Sequence, residues 1–130
     1  MKKKMLLFMA LFMMTGLFAG NPAPKKIEVY YFHFTRRCTT CNNVEKVSKE
    51  AVDQQFAEKV KAGEITFSSV NLEEKEGEAL GEKLKVEGQA LLIVSGDKRV
   101  DLTDKAFMYA NNSPDKLKAE IKKAVEKMLK

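Results

Sequence analysis

The chain has 130 residues, of which 45% are hydrophobic and 32% charged, and it carries two cysteines, one histidine and no tryptophan. This length bounds the protein to one domain with a single modest core rather than an assembly of domains. The formal net charge of +5 includes Lys2, Lys3 and Lys4 and falls to about +2 without them, so charge makes no case for a nucleic-acid partner.

Lys2 to Lys4 precede the uncharged stretch Met5 to Ala19, and Gly20-Asn21-Pro22-Ala23-Pro24 follows as a small, turn-prone segment. A basic n-region, an apolar h-region of about 15 residues and small residues near a cut are the layout of a secretory signal peptide. The apolar stretch is short for a spanning helix, which needs roughly 20 residues. Residues 1–20 are therefore expected to be a cleaved signal, with residues 21–130 as the single folded domain. The expected location is exported, periplasmic or extracellular, and no membrane partner is expected once the signal is gone. A monomer is expected.

Ile27 to Phe34, IEVYYFHF, is nearly continuous in apolar character and rich in β-branched and aromatic residues. It reads as a central strand buried on both faces, with the aromatic run Tyr30 to Phe34 in the core. From about Thr40 to Ala62 the period becomes helical through Val44, Val47, Ala51, Phe56 and Val60, and Gly63 supplies the stop. Glu64 to Leu72 reads as a second strand. The acidic run Glu73 to Glu78 reads as a solvated turn, followed by a short helix over Glu78 to Leu84 with Ala79, Leu80 and Leu84 inward and Gly77, Gly81 and Gly88 weakening it. Ala90 to Val94 is a third strand, and Gly96-Asp97 marks a tight hairpin into an edge strand over Arg99 to Thr103. Asp104 to Asn112 has no clear period, and its Phe107, Met108 and Tyr109 are expected against the core. Ser113-Pro114 begins a last helix, with serine as cap and Leu117, Ile121, Ala124, Val125 and Met128 on one face.

The resulting order is β-α-β-α-β-β-α. A strand, helix and strand in succession favour a parallel pair, and the tight turn forces an antiparallel one. The fold class is α/β, with a four-stranded mixed sheet flanked by helices on both faces.

Both cysteines lie in Cys38-Thr39-Thr40-Cys41, between the first strand and the first helix. This spacing at a helix start puts both sulfurs on one side of the first turn, close enough for a small disulfide ring. It also puts the first sulfur where unpaired backbone N–H groups and the helix dipole favour a thiolate. A bridge across two residues closes too short a loop to act as a staple. Thiol redox chemistry is the leading reading. Half of a zinc site has the same spacing, so a metal remains the alternative.

The element order together with the placement of Cys38-Thr39-Thr40-Cys41 resembles the thioredoxin-like superfamily over nearly all of Lys25 to Lys130. More narrowly, Tyr30 to Cys41, YYFHFTRRCTTC, resembles the nitrophenyl compound nitroreductase subunit ArsF family. The superfamily resemblance implies that Cys38 is the nucleophile that attacks a partner disulfide and that Cys41 resolves the mixed disulfide. Arg36 and Arg37, just before Cys38, would favour its anion, while Thr39 and Thr40 occupy the positions that tune redox potential. Three departures stand out. Arg37 replaces the usual tryptophan, Phe32 stands where the superfamily carries a buried acid, and Gly88-Gln89-Ala90-Leu91 lacks the cis-proline, with Ala90 at its position. A non-proline cis bond costs about 2.5–4 kcal/mol, so Ala90 is expected to be trans. Gln89 and Ala90 therefore form an altered loop facing the cysteines.

These readings converge on an exported thiol–disulfide exchange protein acting on a dedicated protein thiol or disulfide partner, with Cys38 and Cys41 cycling and no cofactor. If the chain is an enzyme, it is a thiol–disulfide oxidoreductase. The alternatives are a non-catalytic thioredoxin-fold subunit, or a module binding zinc, copper or a metalloid through Cys38, Cys41 and the lone histidine, His33. Nothing in the sequence resembles a flavin or nicotinamide site, so reduction of nitro compounds by this chain alone is not expected.

Overall fold

The structure is a computed structural model describing residues 25–130; the signal peptide expected over residues 1–20 lies outside the described residues. Four strands form one mixed sheet, β1 (Ile27–His33), β2 (Ile65–Asn71), β3 (Ala90–Ser95) and β4 (Lys98–Asp101), in the spatial order β2-β1-β3-β4. β1 runs parallel to β2, with Ile27 opposite Ile65 and His33 opposite Asn71, and antiparallel to β3, with Phe32 opposite Ala90. β3 and β4 form the expected hairpin, its turn made by Gly96 at φ +58° and Asp97. The two central strands carry the apolar runs because they are covered on both faces, and short β4 takes an edge.

α1 (Thr39–Gln55), α4 (Thr103–Tyr109) and α5 (Pro114–Leu129) belong with one face of the sheet. There Ile27, Val29, Tyr31, Leu91 and Ile93 meet Val44, Val47, Ala51, Val52, Leu117, Ile121 and Val125 in the main core. α3 (Lys75–Lys83) belongs with the other face, where Phe32, Ala90, Leu92 and Val94 are buried under half-buried Leu72, Leu80, Leu84 and Val86. Among the described residues, no helix is long and apolar enough to cross a membrane.

Several expectations change in detail. The helix predicted over Thr40 to Ala62 is broken at Phe56 (φ −130°, ψ 32°), which separates α1 from the short α2 (Ala57–Lys61). Phe56 keeps its helical hydrogen bonds, its N–H to Val52 O and its own carbonyl accepting from Val60 N–H, so the kink sacrifices little while the ring stays buried. α3 starts at Lys75, inside the run expected to be a solvated turn, and Ala79 is exposed rather than inward. Leu80 and Leu84 pack inward as expected, and the fully buried residues of the helix are Gly77 and Gly81, one helical turn apart. A Cβ on Gly77 would come within 1.9 Å of Asn71 O, and one on Gly81 within 2.7 Å of Leu72 Cδ2. The glycines that weaken this helix as an isolated segment are what let it approach β2.

The segment without a period contains α4, whose only fully buried residue is Ala106. Phe107 and Tyr109 pack on the main core as expected, but Met108 is 62% exposed. Phe34, expected in the core, lies exposed past the end of β1. The fourth strand ends at Asp101, because buried Leu102 already leads into α4. Ser113 does precede α5 with Pro114 in its first turn, but its hydroxyl makes no capping bond; its carbonyl accepts from Lys116 N–H instead.

Candidate functional site

β1 delivers the chain to the sheet end at His33, a loop carries it across Phe34 to Arg37, and α1 turns it back under the sheet. The two cysteines occupy that reversal. Cys38 is the N-cap of α1, in extended conformation (φ −88°, ψ 169°), and its Sγ accepts the backbone N–H of Cys41 at 3.2 Å. Cys38 is exposed, Cys41 is 2% exposed, and the two form a disulfide with their Cα atoms 5.2 Å apart. A short polar residue normally takes the N-cap to satisfy an orphan N–H. Here a sulfur does it.

Cys41 points inward, where its Sγ lies 3.0 Å from Gln89 Oε1. The Gln89 amide is in turn 3.5 Å from the hydroxyl of fully buried Tyr31, which donates to the same oxygen. Burial pushes the Tyr31 phenol above its ordinary range, against a smaller opposing pull from the charge of Arg37. Among the described residues there is no cis peptide bond, so the bond before Ala90 is trans. In that conformation Ala90 enters β3 directly and Gln89 presents its side chain, rather than backbone alone, toward the buried sulfur.

The two arginines before Cys38 have different surroundings. Arg36 is exposed, whereas Arg37 pairs through Nη1 with Glu45 of α1 and through Nη2 with His33 Nε2 at 2.7 Å. His33 Nδ1 lies 2.9 Å from Phe34 O, which can only accept, so Nδ1 carries the proton and Nε2 accepts from Arg37. Both ring nitrogens are thus engaged. Among the described residues, no three His, Cys, Asp or Glu side chains converge in an arrangement suited to a metal ion. The pairing of Arg37 with Glu45 balances part of the positive charge beside Cys38 and fixes the loop against the helix.

Two further sets of contacts hold the site. Thr35 N–H donates to Glu73 Oε2 at 2.6 Å, and the Asn71 side-chain amide donates to Thr35 Oγ1 at 2.9 Å, joining the loop to the end of β2. The Thr35 hydroxyl and N–H together hold the Glu73 carboxyl below the usual glutamate value. On the opposite side, Asn111 Nδ2 donates to Thr40 Oγ1 at 2.8 Å and Asn43 Nδ2 to Asn111 Oδ1 at 2.8 Å, tying the loop after α4 to the motif. Thr39 is exposed. Sequence reasoning did not reach Glu45, Asn71, Glu73, Asn111 or Tyr31. Glu45 follows Cys41 by one helical turn, a spacing that offered a clue; the others meet the loop only through the fold.

The architecture is thioredoxin-like. Its mixed sheet, its helices on both faces and its Cys-x-x-Cys between the first strand and first helix carry that assignment. No protein-family model matches the chain, and no curated protein matches it. A solved structure described as "Structure of a malarial protein" is similar over 65% of this chain and 94% of its own, at 16% sequence identity and a TM-score of 0.42.

Proposed function

We propose that this chain is an exported thiol–disulfide exchange protein that works on a dedicated protein partner through Cys38 and Cys41. The observation that carries the proposal is the asymmetry of the pair, an exposed Cys38 whose sulfur caps a helix and is bonded to a buried Cys41. In the disulfide state a partner thiolate attacks Cys38 Sγ, the reachable sulfur. The bond to Cys41 breaks, Cys41 leaves with the electron pair as a thiolate, and a mixed disulfide joins the partner to Cys38. A second partner thiol, once deprotonated, attacks its neighbour's sulfur in the mixed disulfide. The partner becomes oxidised and Cys38 is released as a thiolate beside the Cys41 N–H and the α1 dipole. The reverse sequence reduces a partner disulfide, with Cys41 as the resolving thiol.

Export is supported by the Lys2–Lys4 and Met5–Ala19 pattern, and it suits a pair found as a disulfide. A dedicated partner is supported by the Gln89-Ala90 loop, which departs from the one the superfamily uses toward many substrates. The narrower resemblance to the ArsF family fits a subunit serving one partner and adds no chemistry of its own. The test is a Cys41→Ser variant expressed with its leader in its native compartment. Mixed disulfides through Cys38 are expected to accumulate and to vanish on further replacement of Cys38. If none forms, the proposal fails.

A further inference from the structure

The surroundings of the two sulfurs differ in kind. Cys38 Sγ faces a donor, the backbone N–H of Cys41, whereas Cys41 Sγ faces an acceptor, Gln89 Oε1 at 3.0 Å. A disulfide sulfur carries no proton, so in the oxidised protein the second contact is not a hydrogen bond. Reduction supplies the missing hydrogen. The acceptor is also held in place before that happens, because Tyr31 of β1, fully buried, donates its hydroxyl to the same oxygen and so turns Oε1 rather than Nε2 toward Cys41.

We propose that Gln89 is a positioning residue that stabilises the reduced pair by holding the proton of the dithiol on Cys41, leaving the charge to Cys38. Reduction by a dithiol such as dithiothreitol breaks the bond between Cys38 and Cys41 and delivers two electrons and two protons to the pair, and the reductant departs as its own cyclic disulfide. One proton resides on Cys41 Sγ and is donated to Gln89 Oε1. The other is carried by, or lost from, Cys38. An amide neither gives nor takes a proton in this range, so Gln89 acts through the hydrogen bond alone, unlike a buried carboxylate. A contact that becomes a bond only in the dithiol raises the reduction potential.

This inference rests on the exchange reading only in requiring a pair that opens and closes, and it is tested on the purified protein without any partner. The ratio of dithiol to disulfide is measured in dithiothreitol buffers for wild type, Gln89→Leu and Tyr31→Phe. Gln89→Leu is expected to shift the equilibrium about tenfold toward the disulfide, or about 30 mV more negative. Loss of the partner for the Tyr31 hydroxyl weakens both redox forms alike and cancels from the potential. Tyr31→Phe is expected to shift the potential the same way by about threefold, since the amide is no longer held with its oxygen inward. An unchanged ratio in Gln89→Leu, or a shift toward the dithiol, overturns the assignment. Should Gln89→Leu fail to fold, Tyr31→Phe decides it by the same sign. A pair that resists dithiothreitol altogether removes the exchange reading itself, whereas a pair that opens normally with an unmoved potential removes only the role of Gln89.

Discussion

On one face of the sheet Leu91 and Ile93 of β3 point into a core closed by α1, α4 and α5, whereas on the other Leu92 and Val94 meet half-buried side chains around a single short helix. The first face is held by volume, through large side chains from long elements. The second is held by approach, through two glycines that allow α3 to lie on the end of β2. The difference matters for the site, because Asn71 serves both: its carbonyl lies beneath Gly77, and its side chain holds Thr35 in the loop before Cys38.

Truncation in the two cores gives the largest contrast. Ile93→Ala is expected to cost towards the upper end of about 2–5 kcal/mol and Leu92→Ala towards the lower end, because half-buried neighbours can settle into the space that Leu92 leaves. Equal costs in denaturant unfolding would erase the distinction between the faces. Next comes Gly77→Ala, where the added methyl meets backbone that cannot move aside, for an expected loss of about 1–3 kcal/mol. It should also raise the alkylation rate of Cys38 in the reduced protein by disturbing Asn71. At Gly81 the obstacle is the far end of Leu72, which can rotate, and alanine improves helix propensity by up to about 1 kcal/mol. Gly81→Ala is therefore expected to stay within about 1 kcal/mol of wild type, and a larger loss than at Gly77 would break the account of how α3 docks.

The smallest expected effect is a titration. Hydrogen bonds from Thr35 lower the Glu73 carboxyl below its ordinary value of 4.5. The stabilisation is complete above 4.5 and is lost as pH falls from there through the lower value of the folded protein. The Thr35 amide resonance should follow that loss, with a midpoint below 4.5, and should not titrate in Glu73→Gln. Because Glu73 is at the surface, the global stability is expected to change little.

The first face was the legible one. Val44, Val47 and Ala51, like Leu117, Ile121 and Val125, repeat at helical spacing because each helix lays one stripe on the sheet, and Gly96-Asp97 marks its turn by chemistry that few other residues tolerate. The break at Phe56 left no mark, since residues on both sides keep helical spacing and neither glycine nor proline intervenes. α4 spans only seven residues with one fully buried, too few for a period to emerge. The face of α3 was legible in part: Leu80 and Leu84 turn inward as their spacing suggests, but the closest approach is made by Gly77 and Gly81, whose lack of side chains a hydrophobic pattern cannot register. At the site, the cysteine pair was plain from spacing. The direction of the Gln89 side chain was not, since its meeting with Cys41 spans 48 positions of sequence and depends on where β3 begins.

One consequence follows from the sulfur at the N-cap of α1. Most helices begin on an inert oxygen, but this one begins on the atom that reacts, so its first turn is fastened weakly while the sulfurs are joined and firmly once Cys38 is an anion. The coupling must work in both directions. Anything that tightens the turn over residues 39–42 favours the open dithiol, and anything that frays it favours closure, so a protein gripping this corner would bias the electron balance before touching either sulfur.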